Sequence, residues 1–485
     1  MKIYFTWIAA AVFFSLMLVP ASSYARVNTL IGGLSASYDY NDRSYSAASD
    51  DPATEVNEAE LNGDRDDDYE SIVFTPLIHF KSLSERDSFE LRAAPGIKYD
   101  LIDEESDWDN NLYVAADRFL TKSWQLRASN QFLRSDYHNT DTQLSTDPVD
   151  PQLSTDLGRR RYWRNTFNIY SDHHYYEDSL FQMGFGYTAL RNDDTGVGGY
   201  EDSDRYTVSL RNDHRYSSIW QSTVDLQFVQ GDFDPADRET VETIIDELAP
   251  DSGFTPTDDQ LSNDLNEYHL LLTLNNESIA HNPLSVTYNF IRSKYDEVLR
   301  DDSDIHQMRF NWKREITPQI YTNLGIGPSY EKTEGRDANW AGNGIAELNY
   351  QIERGSFNLS VEKKYDVDNF SGTDERGPVD IWDSRASFNY LLQKDLSLTS
   401  YLSYVYEDRE DQVVVLDEGL LVTQLEEYQK DRYIAGVGLN YSFLQYYSAG
   451  VNYTFTKQES DRIGDDYDDH RLLFTLSWQK ELSRW

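Results

Sequence analysis

The chain has 485 residues, a formal net charge of −42, 14% aromatic residues and no cysteine, and its mean hydropathy is −0.67. The absence of thiols excludes disulfide scaffolds, Cys-zinc sites and thiol catalysis together, and so acidic a chain is a poor partner for nucleic-acid phosphates. Past the N-terminus no apolar run approaches the roughly 20 residues of a spanning helix, but low hydropathy is compatible with a membrane barrel, in which only alternate residues face lipid.

The first 25 residues read as a secretory signal peptide. Lys2 supplies a basic start, Ile8 to Val19 an apolar core, and Pro20 breaks it. Ser23-Tyr24-Ala25 then gives a small-x-small cleavage site before Arg26. Residues 26–485 contain no Pro/Gly/Ser linker and no composition break, so one domain is expected there.

From Leu30 to Tyr40 the even positions are mostly apolar, while Ser35, Ser37 and Asp39 take the odd ones. Strand side chains alternate across a sheet, so this segment has one greasy wall and one wet wall. The pattern recurs in chain order. Phe89, Leu91, Ala93, Pro95, Ile97 and Tyr99 oppose Glu90, Arg92 and Lys98; Trp220, Val224, Leu226 and Phe228 oppose Thr223, Asp225 and Gln227. Leu284, Val286, Tyr288 and Phe290 oppose Ser285, Thr287 and Asn289; Leu472, Phe474, Leu476 and Trp478 close the series. About twenty such segments, each around ten residues long, suit tilted strands crossing a bilayer. The expected fold is all-β: a closed antiparallel transmembrane β-barrel of about 20 strands, within a range of roughly 16 to 22.

The connections alternate between short and long. Short ones include 82–87, 121–123, 353–355, 393–395 and 443–445; long ones include 41–69, 135–160, 231–265 and 407–430. Outer-membrane barrels sort their loops this way, with short periplasmic turns and long external loops. Three long connections are acidic: 41–70 holds 11 acids and 2 bases, 231–267 holds 12 and 1, and 407–431 holds 9 and 2. Within them, Asp234 and Pro235 can start a helix with Val241, Ile244, Ile245 and Leu248 on one stripe before Pro250. Val413 to Leu416 and Leu420 to Val422 flank Asp417-Glu418-Gly419, which reads as a hairpin prolonging two strands beyond the membrane.

No GxSxG, HExxH or Walker loop is present, and no Ser/His/acid set marks an enzyme. His173, His174, Tyr175 and Tyr176 read as interface residues at a turn. Asp64, Asp66, Asp67 and Asp68 are weak candidates for Ca²⁺, since they lack the order of an EF-hand loop; divalent ions shared between acidic loops and lipopolysaccharide phosphates are the only cofactors expected. By parity the lumen receives eleven bases, Arg92, Lys98, Arg127, Arg205, Arg211, Arg309, Lys313, Lys364, Arg385, Arg432 and Arg471, against five acids, Glu90, Asp225, Glu347, Glu362 and Asp383. A pore leaning toward anionic solutes is one reading of that excess; paired charges on a solvated wall are the other. Tyr38, Tyr40, Tyr99, Tyr288, Tyr330 and Tyr406 sit near strand ends, as interfacial girdles do. Pro76, Pro95 and Pro328 fall inside the expected strands and lack a ladder donor.

The chain ends Ser483-Arg484-Trp485 after the last periodic segment. A terminal aromatic resembles the assembly signal of outer-membrane barrels, here with the polar stretch Gln479 to Glu481 expected to interrupt the strand. In architecture, residues 26 to 485 resemble the plug-free, loop-rich outer-membrane β-barrel porins often found near exopolysaccharide gene clusters. The resemblance carries no residue motif, so no family site transfers. It implies a cell outer-membrane location and a porin-like channel for hydrophilic solutes, or else an export or scaffold part of exopolysaccharide secretion. The implied partners are outer-membrane lipids, lipopolysaccharide and the barrel assembly machinery.

Overall fold

The structure, a computed structural model, describes residues 26–45, 68–102, 104–135, 161–193, 200–233, 264–278, 283–296, 301–372, 376–417, 420–462 and 466–485, with backbone alone for 410–426. The expected signal peptide, the helix after Asp234, and Asp64, Asp66 and Asp67 lie outside these residues.

Twenty strands account for nearly all of it. They are β1 (Val27–Tyr45), β2 (Tyr69–Leu83), β3 (Asp87–Asp100), β4 (Ser106–Phe119), β5 (Trp124–Ser135), β6 (Tyr162–Tyr176) and β7 (Ser179–Asn192). Next come β8 (Ser203–Arg215), β9 (Trp220–Phe233), β10 (Leu265–Asn276), β11 (Leu284–Tyr295), β12 (Ser303–Thr317), β13 (Ile320–Thr333) and β14 (Asn339–Ile352). The last six are β15 (Gly355–Val367), β16 (Pro378–Gln393), β17 (Leu396–Asp417), β18 (Leu420–Phe443), β19 (Tyr447–Ser460) and β20 (Tyr467–Arg484). Each pairs antiparallel with its sequence neighbours, and β1 pairs with β20, so the sheet closes and no edge is left.

Hydrophobic alternation drives this arrangement, and it leaves apolar groups outside. Among the exposed side chains are Ile326 at 74%, Ile97 at 66% and Ile78 at 57%, with Leu402, Phe310 and Leu476. A continuous surface of that kind is intolerable in water and suits hydrocarbon. Aromatic side chains, among them Trp108, Trp340, Trp124 and Trp220, flank it near the strand ends.

Connections on one rim run from two residues, as at 353–354, to seven, at 277–283; the other rim carries 46–68, 136–161 and 234–264. The stretch 407–430 is not a loop. β17 and β18 stay paired from Leu396↔Tyr441 to Asp417↔Leu420, so the hairpin itself is the connection. All four register shifts, at Leu30/Ile31, His174/Tyr176, Glu315/Thr317 and Leu391/Gln393, sit beside the short-turn rim, where bulges re-aim strands into tight turns. One of them corrects the expectation for the C-terminus. Gln479, Lys480 and Glu481 pair with Gly33, Gly32 and Ile31, and the strand runs unbroken to Arg484. The polar stretch is accommodated because Leu482 bulges out of the ladder to cover Gly32, where a Cβ would come within 2.6 Å of it. Trp485 then exchanges backbone hydrogen bonds with Asn28, at 2.8 and 3.0 Å.

The three strand prolines have a common solution: the ladder lapses where they sit. On β2–β3 the pairing stops at Phe74↔Ile97 and resumes at Ile78↔Ala93, which sets Pro76 opposite Pro95. Two missing donors therefore share one gap, and the outer ladders, Leu34↔Pro76 and Pro95↔Asn110, stay intact. On β12–β13 the pairing stops at Gln307↔Ser329 and resumes at Phe310↔Ile326. There the Asn343 amide, from β14, donates to Pro328 O at 2.8 Å and Met308 O at 3.1 Å, replacing the lost backbone donor. Gly327 permits the close approach, since a Cβ there would lie 1.7 Å from Met308 O.

Candidate functional site

Contacts between strands that are not ladder neighbours must cross the interior. Arg309 on β12 reaches Glu362 on β15 at 2.6 Å, and Asn369, just past β15, donates to Glu267 on β10 at 2.6 Å. These anchors and the ladder registers define the inner face. It carries Glu90, Arg92, Lys98, Arg127, Arg205, Arg211, Asp225, Arg309, Lys313, Glu347, Glu362, Lys364, Asp383, Arg385, Arg432 and Arg471.

The inner wall has many more acids than the sequence count allowed. Arg127 pairs with Asp172 at 2.5 Å, Arg211 with Asp213 at 2.9 Å, Arg385 with Asp383 at 2.7 Å, and Arg43 with Asp469 at 3.0 Å. Arg471 grips Asp39 through two hydrogen bonds of 2.9 Å, and Lys364 pairs with Asp366. Glu90 takes His79 at 2.7 Å and Lys81 at 3.4 Å, and Glu347 accepts from Asn323 at 2.7 Å. Lys98 is buried over the Tyr69 ring, and Arg432 donates to Gln458. Arg92 is exposed on the inner wall. Asp39, Asp172, Asp213 and Asp366 have the parity of the counted residues and could have been found from it. Asp469 lies near the start of β20, and Glu407, in mid-β17, pairs with Arg409 at 2.7 Å; both fall just outside the stretches in which the alternation is plain.

The sequence gives no sign of a second feature, a hairpin tip that crosses the lumen. β14 and β15 pair only up to Gly344↔Lys363, whereas β15 and β16 stay paired to Val367↔Pro378. The freed end leans inward. Tyr365 packs with Ile291 and Ile305, and the Gln307 amide donates to Tyr365 O at 2.7 Å. Beyond it, Asn369 also donates to Ser293 and accepts from the Tyr295 hydroxyl at 2.8 Å. Phe370 stacks on Phe233 with centroids 5.5 Å apart, in a buried cluster with Val229 and Leu265. Arg376 lies 3.5 Å over the Phe233 ring and forms an ion pair with Glu201, whose N–H donates to Gly372 O. Behind the tip, Arg409 on β17 holds Asp368 at 2.7 Å. Gly372 and Gly377 take φ of +78° and +122°, values that a side chain would strain. The tip thus bridges β15–β17 to β8–β12 near the long-loop rim. At its far foot, burial pushes the Asp264 carboxyl above the usual range, with the Phe233 N–H at 3.0 Å pulling the other way.

The third feature is an arc without charge. On β17, β18, β19, β20 and β1 the inner-facing positions within 397–405, 434–442, 448–456, 473–477 and 33–37 are Ser, Thr, Asn, Gly, Tyr, Val, Ile and Leu only. Tyr401 lies across Gly436 on the next strand, where a Cβ would come within 2.3 Å of the ring, and its hydroxyl meets Thr454 Oγ1 at 3.1 Å.

No protein-family model and no curated relative matches the chain. Among solved structures it is similar to OpdQ of Pseudomonas aeruginosa, at 12% identity over 94% of this chain and 98% of that one, with a TM-score of 0.41. It is also similar to OccK2 of the same organism, solved with glucuronate, at 12% identity over 94% and 98%, with a TM-score of 0.42. A third is the siderophore receptor PirA, also from Pseudomonas aeruginosa, at 12% identity over 93% of this chain and 80% of that one, with a TM-score of 0.46. Likeness at this level bears on neither family nor function.

Proposed function

We propose that the chain is an outer-membrane channel for hydrophilic solutes, set among outer-membrane lipids and lipopolysaccharide and inserted by the barrel assembly machinery. The observation that carries this reading is a closed cylinder whose outer wall is apolar and whose inner wall is lined by ion pairs and hydroxyls. At about 4.8 Å per strand and a tilt of about 40°, twenty strands enclose a cylinder roughly 40 Å across between backbones, too wide for side chains to fill. Charges at such a wall are stabilised by water, and a hydrated lumen conducts. The β15–β16 tip narrows it, and Arg92 and Lys313 would supply any lean toward anions. Divalent ions bridging the acidic connections to lipopolysaccharide phosphates belong to the same picture.

Purified protein in a planar bilayer should show stepwise ion conductance, and its reversal potential in a KCl gradient reads the charge preference. A silent bilayer after verified insertion refutes the channel. The alternative, an export or scaffold role for a secreted polymer, predicts that deletion abolishes surface polymer and leaves small-solute uptake unchanged.

A further inference from the structure

We infer that the charge-free arc is the contact surface for an uncharged saccharide, with Tyr401 as its stacking residue; this rests on the channel reading and names the solute class. The chain is 26% charged, yet five adjacent strands, β17 through β1, bring no charged side chain to the inner wall over their middle stretch. Elsewhere single strands such as β7 and β11 are also free of inner charge, but charged strands stand beside them. Arg127, Asp172, Arg211, Asp225, Arg309 and Glu362 cluster on β5–β15.

The tip anchored on β8–β12 crowds that charged side. A solute passing beside it is brought toward β17–β1. Glycine flattens the wall there. Gly436 lies under Tyr401, and Gly438 lies under Asn452, whose Oδ1 a Cβ would meet at 2.2 Å. The Tyr401 side chain therefore runs along the wall, tied by its hydroxyl to Thr454.

A neutral polyol gains nothing from fixed charge. It gains from groups that donate and accept in turn, and Thr399, Asn452 and Thr454 offer that. The C–H face of a pyranose is weakly positive and is attracted to the negative face of an aromatic ring. Small residues on both sides of the ring leave room for a sugar to lie along it. An ion prefers the opposite arc, so the two halves of the wall sort solutes by charge.

The test is single-channel recording on the full-length mature barrel, with maltohexaose as the neutral probe and a galacturonate hexamer as the charged one. Maltohexaose should cause concentration-dependent closures, and the charged oligomer of equal length should cause markedly fewer. Tyr401→Ala should shorten closure times roughly three- to tenfold, the scale of one aromatic contact, while Tyr401→Phe should retain most of the effect. Heat-modifiable migration reports whether each variant has folded. Ion current without maltohexaose closures overturns the inference and leaves the channel standing; so do closures of equal length in Tyr401→Ala. Absence of any current sinks the channel reading instead, and titration calorimetry with maltohexaose in detergent, on the native barrel and on Tyr401→Ala, then decides whether the arc binds sugar.

Discussion

A proline in mid-strand removes a donor, and at Pro328 the replacement comes from one amide, that of Asn343. The side chain reaches two carbonyls and the Ser329 hydroxyl at 3.0 Å, so it closes a hole in the wall. Substituting Asn343→Leu keeps the volume and removes the donors. The expected loss is about 1–3 kcal/mol, the cost of leaving buried carbonyls unpaired. A lowered unfolding temperature in heat-modifiable migration checks it, and an unchanged one would show that water substitutes for the amide. Nothing in the residues around Pro328 points to Asn343, because the partner is set by register and not by spacing. The mutual opposition of Pro76 and Pro95 is hidden for the same reason: it exists only once β2 and β3 are aligned.

The strands were legible because lipid and water impose opposite demands on consecutive residues, and that demand has a period. The β15–β16 tip has none. Tyr365 reads as part of a strand end, and Asn369 and Phe370 as an ordinary polar connection after it, yet each contacts wall strands that lie far away in sequence. The inner wall shows the same split. Parity places Arg127 and Asp172 on it, but their pairing depends on the offset between β5 and β6. If the tip narrows the path, loosening it should widen the path. Phe370→Ala removes the ring that fills the Val229, Phe233 and Leu265 cluster, a loss of about 3 kcal/mol by comparison with other buried phenylalanines. Higher unitary conductance with more open-channel noise is the expected result in planar bilayers; identical conductance would place the narrowest point elsewhere.

A closed sheet must join its first strand to its last, and here the lumenal side of that seam is tied by charge. Asn41 and Arg43 on β1 both bond Asp469 on β20 at 3.0 Å, Arg471 on β20 grips Asp39 on β1, and the four charged groups are buried. Breaking one partner leaves the other charged and desolvated, which costs about 3–5 kcal/mol in buried pairs. Asp469→Ala should therefore lower the temperature at which the folded band converts to the unfolded one. An equal change at an exposed pair such as Lys457 with Glu459 should be slight. Closure itself was readable from an even number of alternating segments and from loops sorted to one rim, but the ties across the seam join residues more than four hundred positions apart.

The longest hairpin has one more effect. β17 leaves β16 at Val379↔Arg409 and β18 leaves β19 at Lys430↔Ser460, yet the two remain joined to each other up to Asp417↔Leu420. Past those points the described residues of the two strands pair only with each other, a two-stranded ribbon of the kind to which another chain can add a strand. The acids at positions 410, 411, 426 and 427 lie along that ribbon, and two copies meeting flank to flank would bring like charges together. Such repulsion would oppose the zipping of two ribbons into one sheet.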